Sequence, residues 1–146
     1  MGRIVAISSG SLESTQSLNA YAVRMQSTSP KLLFVGTASH DSPDYLESIT
    51  AAFSRWNCQV RPLSLTTRNY SRLELEEAAA WADIIYVGGG DTIFMMNTWN
   101  RYGLDTLLKD VYRQDTAVLM GISAGAMCWF RCGCTDSPLA AIREGE

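Results

Sequence analysis

Residues 117–126 read Ala-Val-Leu-Met-Gly-Ile-Ser-Ala-Gly-Ala, an apolar run that passes directly into a serine flanked by glycines. The apolar half predicts a buried strand, and the small residues after it predict a helix that begins near Ala124. Gly121, Ser123 and Gly125 form the pattern G-x-S-x-G in the strand-to-helix context that a nucleophilic serine requires. We therefore predict an exposed Ser123 hydroxyl on a tight turn. The alternative interpretation is a glycine-rich turn that carries a serine by chance.

The same order of strand, turn and helix recurs upstream of this stretch. Predicted strands occupy residues 3–8, 31–37, 59–65 and 83–87, and predicted helices occupy residues 14–26, 43–56, 73–81, 92–102 and 104–113. Near-continuous apolar strands that alternate with helices predict an α/β fold, a three-layer, mostly parallel sheet with helices on both faces. Pro62 predicts an edge position for the third strand, because proline cannot donate to a sheet. Ligands of such sheets bind at the carboxyl ends of the strands.

A second glycine-rich segment, Val87-Gly-Gly-Gly-Asp-Thr92, follows the fourth predicted strand. Its spacing lacks the lysine of a phosphate-binding P-loop, so phosphate binding is disfavoured. We predict that the backbone N–H groups of Gly89 and Gly90 form one half of an oxyanion hole, with the N–H of Ala124 on the opposite side. The alternative is a helix-start turn capped by Asp91, which is compatible with the oxyanion role.

Composition excludes several classes of partner. The chain has 146 residues, a net charge of −3 and 18% charged residues, which predicts one domain and no electrostatic footprint for nucleic acid. No apolar run approaches the roughly 20 residues that a membrane span needs. The first residues predict a strand and not a signal peptide, so we expect a cytoplasmic protein that binds neither nucleic acid nor membrane.

The cysteines do not form a recognisable metal motif. Cys128, Cys132 and Cys134 have the spacing C-x3-C-x-C, Cys58 is distant, and His40 is the only histidine. Zinc sites usually pair C-x2-C units or histidines at set spacing. We therefore predict reduced, partly buried thiols, no metal site and no cofactor.

Taken together, the glycine triplet and the Gly-Ile-Ser-Ala-Gly-Ala-Met-Cys-Trp-Phe segment one strand later resemble the peptidase E family (peptidase family S51) over the whole chain. These serine peptidases have a fold similar to flavodoxin and to class I glutamine amidotransferases. Members are aminoacyl dipeptidases, and a related branch, cyanophycinase, degrades an aspartate–arginine polymer. The resemblance implies a serine-type, dipeptidase-like exopeptidase for small peptides, with Ser123 as nucleophile and Gly89 and Ala124 as oxyanion donors.

The resemblance also implies that Asp136 is the acidic member of the catalytic triad, although a solvated turn aspartate before Pro138 is the alternative. The catalytic histidine of the family follows that acid, whereas His40 precedes the serine. His40 therefore remains a candidate base, a candidate substrate contact or an ordinary loop residue.

From this departure we expect residues 1–146 to form a single peptidase E-like domain that lacks the C-terminal part of the family. An exposed sheet edge would then invite a homodimer. A non-catalytic binding or structural module of the same fold is the alternative function. A glutaminase is disfavoured, because that reaction normally uses cysteine in place of Ser123.

Overall fold

The computed structural model describes residues 1–26 and 28–136, which contain five strands and six α-helices. The strands are β1 (Arg3–Ile7), β2 (Lys31–Val35), β3 (Gln59–Leu63), β4 (Ile84–Val87) and β5 (Val118–Ile122). The helices are α1 (Gln16–Arg24), α2 (Pro43–Ser54), α3 (Arg72–Trp81), α4 (Thr92–Tyr102), α5 (Leu104–Gln114) and α6 (Ala124–Met127). In these two ranges no helix combines the length and the apolar character needed to cross a membrane.

The strands form one sheet in the order β1-β5-β4-β2-β3, and every neighbouring pair is parallel. This arrangement confirms the predicted parallel sheet. Strands β2 to β5 follow the spatial order of the first four strands of a flavodoxin-like sheet, and β1 takes the place of the fifth. The edge position predicted from Pro62 is also confirmed, because β3 lies at one end of the sheet.

Helices cover both faces of the sheet, because successive strand residues point to opposite sides. Ile85 and Val87 pack into a core with α3, α4 and α5, whereas Ile84 and Tyr86 pack into a second core with α1 and α2. Trp99 of α4 is among the largest fully buried side chains of the first core. The two cores pack on opposite faces of the sheet and bury its central strands.

Local capping signals set several helix starts close to their predicted positions. Ser71 and Glu74 form a reciprocal capping box at the start of α3. The Asp91 side chain accepts a hydrogen bond from the backbone N–H of Phe94 at 3.0 Å, which begins α4. Pro43 occupies the first turn of α2, as its fixed backbone angle favours.

The structure differs from the sequence-based prediction after β2. The strand ends at Val35, and Thr37–Ser39 form a 3-10 turn in place of the predicted strand end. The Gly36 carbonyl accepts hydrogen bonds from the N–H groups of Ser39 and Asp41, and these bonds turn the chain away from the sheet.

The β1 edge of the described sheet is only partly covered. Ile4 and Val5 are half-buried and Ala6 is exposed, whereas every residue of the central strands β4 and β5 is buried. The homodimer expected from such an edge stays a prediction.

Candidate active site

Ser123 occupies the turn between β5 and α6 in a backbone conformation that non-glycine residues rarely adopt. Its φ is 55° and its ψ is −116°, and a residue held there costs about 1–3 kcal/mol that the surrounding structure must offset. The N–H of Ser123 donates to the carbonyl of Ile7 at 2.9 Å, which ties the turn to the end of β1. Ile122 and Ala124 are buried while Ser123 is exposed. The turn therefore presents the hydroxyl at the carboxyl edge of the sheet, as predicted.

Two glycines allow this turn to lie against its neighbours. A Cβ at Gly125 would overlap the carbonyl group of Val87, at the end of β4. A Cβ at Gly121 would overlap the carbonyl oxygen of Gly125 and come within 2.8 Å of the Val87 oxygen. The G-x-S-x-G pattern thus has a steric cause here, because only glycine permits the close contact of β5, α6 and β4.

The glycine triplet lies beside the serine, since β4 is the direct neighbour of β5. A Cβ built at Gly89 would lie 3.4 Å from the Cβ of Ser123. The Gly89 N–H donates to the Tyr45 hydroxyl at 3.3 Å, so it would have to leave that partner to bind an oxyanion. Gly90 has a φ of 142° and contacts the Ala38 backbone, which leaves no room for a side chain.

Tyr45 is a neighbour of the site that the sequence did not reveal. Its apolar spacing on α2 predicted only a core position, but its ring packs on Phe34 of β2 and its hydroxyl reaches the glycine triplet. Burial raises the pKa of Tyr45, and this effect outweighs the hydrogen bonds that lower it. The phenol therefore remains protonated near neutral pH.

The helix after the serine begins at Ala124, as predicted, and is a single turn. In the described part of the chain, α6 spans the four residues Ala124–Met127, and Cys128 is its C-cap. A single turn carries little of the aligned dipole of a long helix, so the dipole of α6 does little to stabilise negative charge near Ser123. The N–H of Ala124 lies in the first turn of α6, where backbone donors have no partner within the helix.

His40 follows β2, a strand that is not a direct neighbour of β5, after which Ser123 lies. Its strand β2 is separated from β5 by β4, and two strand spacings amount to roughly 10 Å. The His40 ring stacks on Phe94 with a centroid distance of 4.1 Å. The Asp41 carboxylate accepts hydrogen bonds from the N–H and hydroxyl of Thr66, so it is engaged away from the histidine.

Asp136 is exposed at the end of the described chain. Across residues 1–26 and 28–136, no hydrogen bond joins the side chains of Ser123, His40 and Asp136. The predicted turn around Asp136 continues into Ser137 and Pro138, which lie outside the described residues. The roles of Asp136 and His40 stay predictions.

A pocket of about 410 Å³ contains the serine and is lined by residues of β1, α6 and the segment after it, namely Ala6, Ser8, Ser123, Ala126, Met127, Phe130 and Cys134. Ser8 directly follows β1, at the carboxyl edge of the sheet where ligands were expected to bind. A larger cavity of about 670 Å³ lies between α4, α5 and Trp129 without contacting Ser123. The smaller pocket is therefore the one relevant to serine chemistry.

The cysteines divide into two groups. Cys58 and Cys128 are partly buried, as predicted, whereas Cys132 and Cys134 are exposed, so the prediction of partial burial is wrong for these two. They follow α6 in a segment that no helix or strand covers. No group of three or more His, Cys, Asp or Glu residues in the described ranges could hold a metal ion.

The parallel sheet places the protein in the α/β class, with a strained serine at one strand-to-helix turn. The model of peptidase family S51 matches residues 4–144, so the chain belongs to peptidase family S51. It is 36% identical over 150 residues to YgaJ, an uncharacterised peptidase of Bacillus subtilis (strain 168), a match that covers 99% of this chain and 64% of that protein.

Two solved structures are also similar. A candidate peptidase E protein from Listeria monocytogenes EGD-e superposes with a TM-score of 0.71 at 25% identity, over 87% of this chain and 61% of that one. A peptidase from an acI-B1 Actinobacterium superposes with a TM-score of 0.66 at 24% identity, over 87% and 56%, and this likeness concerns the fold alone. The chain thus spans less than two thirds of the length of each of these relatives.

Proposed function

We propose that this protein is a serine-type exopeptidase, similar to dipeptidases, that hydrolyses small peptides in the cytoplasm. The observation that carries the proposal is Ser123, exposed at a φ of 55° on the turn from β5 to α6. A strained backbone at an exposed serine, between buried neighbours on both sides, is typical of a catalytic nucleophile. Membership of a peptidase family supports the same reaction class. Four unpaired cysteines favour a reducing compartment.

In the proposed reaction the Ser123 Oγ attacks the peptide carbonyl carbon, and the carbonyl oxygen becomes an oxyanion. The N–H of Ala124 and an N–H of the glycine triplet, Gly89 or Gly90, stabilise that charge. Gly90 is the donor that makes no competing contact with Tyr45, whereas Gly89 must exchange its hydrogen bond with that hydroxyl. Oxyanion donors of this kind contribute about 3–4 kcal/mol each to lowering the barrier.

The serine proton requires a general base, because a hydroxyl near its free pKa is a weak nucleophile. Because His40 is the only histidine of these 146 residues, the base that we propose is a histidine outside them, oriented by an acid such as Asp136. The separation of β2 from β5 supports this choice. His40 then has the role of a substrate contact, because it lies at the same carboxyl edge of the sheet and stacks on Phe94.

The test is fluorophosphonate labelling of the full-length protein followed by intact mass spectrometry, together with hydrolysis of a panel of dipeptides and tripeptides. We expect one adduct on Ser123, and its loss together with peptide hydrolysis in Ser123→Ala. The matched control is Ser48→Ala, an exposed serine on the outer side of α2 whose hydroxyl bonds only to the Asp44 carbonyl. If the wild-type protein shows neither labelling nor hydrolysis, it is instead a non-catalytic module.

A second variant tests the role of His40. We expect His40→Ala to raise KM for peptides and to leave the fluorophosphonate labelling rate within about threefold of wild type. A thousandfold loss of labelling with an intact fold would make His40 the general base, because base catalysis contributes about 10²–10⁴-fold.

A further inference from the structure

The accessible thiols of this protein lie in one three-residue segment. Burial raises the pKa of Cys58 to about 11 and also raises the pKa of Cys128. The Cys128 thiol also donates to the Gly125 carbonyl at 3.1 Å. Since the thiolate is the reactive form, neither residue is a competent nucleophile near neutral pH. Cys132 and Cys134 are both exposed and are separated by Gly133 alone.

This segment borders the pocket that contains the candidate nucleophile. Cys134 lines the pocket together with Ser123, Met127 and Phe130, whereas Cys132 does not. The Gly133 backbone packs against Met127, because a Cβ there would lie 3.1 Å from the Met127 sulfur. The Cys132-Gly133-Cys134 segment therefore lies against the pocket wall, with Cys134 lining the pocket and Cys132 two residues away.

We propose that Cys132 and Cys134 form a redox-active dithiol that controls access to Ser123. A small-molecule disulfide first exchanges with Cys134, and its bulky half then occupies the serine pocket. Cys132 next displaces that half, which clears the pocket and leaves a Cys132–Cys134 disulfide. The inference rests on the proposed function of Ser123.

Both exchange steps balance. In the first, the Cys134 thiolate attacks one sulfur of the reagent disulfide, whose S–S bond breaks, and the other half leaves as a thiol with the proton that Cys134 lost. In the second, the Cys132 thiolate breaks the mixed disulfide and releases the remaining half as a thiol. Overall, two protein thiols are oxidised and one reagent disulfide is reduced to two thiols.

The geometry of the segment suits a reversible step. Disulfides join Cα atoms roughly 4.4–6.8 Å apart, a separation that residues on either side of a glycine can reach when the chain bends. A disulfide across one intervening residue is strained, and strained, exposed disulfides are the readily reduced ones. The pocket, at about 410 Å³, is at the small end of ligand pockets, which measure roughly 300–1,000 Å³. A tripeptide-sized adduct would therefore fill much of it.

The test treats the reduced full-length protein with oxidised glutathione and follows two quantities over time, the mass of the protein and the fluorophosphonate labelling rate of Ser123. Wild type should pass through a transient glutathione adduct to a form two hydrogens lighter. Cys132→Ser should accumulate the adduct on Cys134 and lose at least about tenfold in labelling rate, restored by dithiothreitol. Cys134→Ser should keep its own starting rate throughout.

Because each variant is compared with its own untreated sample, differences in basal activity do not affect the result. Equal labelling with and without the trapped adduct in Cys132→Ser would overturn the proposal. So would a loss of labelling in Cys134→Ser on the same treatment, since the block would then act from another site.

A proximity measurement separates this inference from the serine mechanism. In Ser123→Cys combined with Cys132→Ser, a reagent that fluoresces after alkylating two neighbouring thiols should link the introduced thiol to Cys134. The same protein with Cys134→Ser added should give no fluorescence. If the fluorophosphonate never labels Ser123 in the wild-type protein, the proposed function fails. If the reagent does not link the introduced thiol of the variant to Cys134, Cys134 does not lie in the serine pocket, whatever the outcome of the labelling.

Discussion

Replacing Gly125 with alanine should push α6 away from β4 and disturb the turn that holds Ser123. A Cβ at this position would overlap the Val87 carbonyl and lie 2.9 Å from the carbonyl oxygen of Gly88. These are backbone atoms of a buried strand and its end, so no side-chain rotation relieves the contact. Alanine in a helix interior is otherwise favourable by about 1 kcal/mol relative to glycine. A gain in stability would therefore mean that helix propensity dominates, and a loss would mean that the steric overlap dominates.

The expected size follows from these two opposing effects. Overpacking a rigid core site costs about 1–3 kcal/mol, and contact with backbone puts Gly125→Ala at the upper end, about 3 kcal/mol. Subtracting the propensity gain leaves a net loss of about 2 kcal/mol. For a chain of this size that corresponds to a melting temperature roughly 4–8 °C lower.

Urea unfolding and thermal melting followed by circular dichroism measure this loss, and fluorophosphonate labelling reports on the turn itself. The control is Gly133→Ala, where the new Cβ would meet the flexible Met127 side chain at 3.1 Å, so stability should change by no more than about 0.5 kcal/mol. Gly125→Ala that is as stable as wild type would refute the described contact between α6 and β4.

Three further variants test other parts of the structure. Ser71→Ala removes the capping box of α3 and should lower the free energy of unfolding by about 1 kcal/mol in urea. The Ser71 backbone N–H chiefly holds the pKa of Glu74 below its ordinary value. The ionised carboxylate therefore stabilises the fold above the unfolded pKa of about 4.3, and this contribution is lost as pH falls through the lower folded pKa. Glu74→Gln should accordingly melt below wild type at pH 7, and the difference in melting temperature should close as the pH falls through the lowered pKa of Glu74. Trp99→Phe leaves the buried Thr37 hydroxyl without its indole donor and should cost about 1–3 kcal/mol, measured by urea unfolding.

The helices were predictable where a local signal marks each end. Residues 92–102 were predicted as a helix, and α4 has those bounds, because Asp91 caps its start and Gly103 ends it with a φ of 70°. These signals act within about four residues, so they can be read from the chain directly. The apolar strands were predictable for the same reason, since a central parallel strand must be apolar on both faces.

The site was only partly predictable. The pattern around Ser123 indicated an exposed hydroxyl on a tight turn, and the structure agrees. The hydrogen bond from the Gly89 N–H to Tyr45 was not predictable, because 44 residues separate the partners in sequence. The exposure of Cys132 and Cys134 likewise depends on how the chain leaves α6.

The sequence by itself determined the α/β class, the positions of the elements and the identity of the candidate nucleophile, because periodicity and turn chemistry are local properties of the chain. The tertiary structure alone decided the strand order, which depends on pairing between segments as distant as Arg3 and Val118. That order puts β4 next to β5 and β2 one strand further away. It therefore brings the glycine triplet beside Ser123 and keeps His40 at a distance, a difference set by which strands share hydrogen bonds.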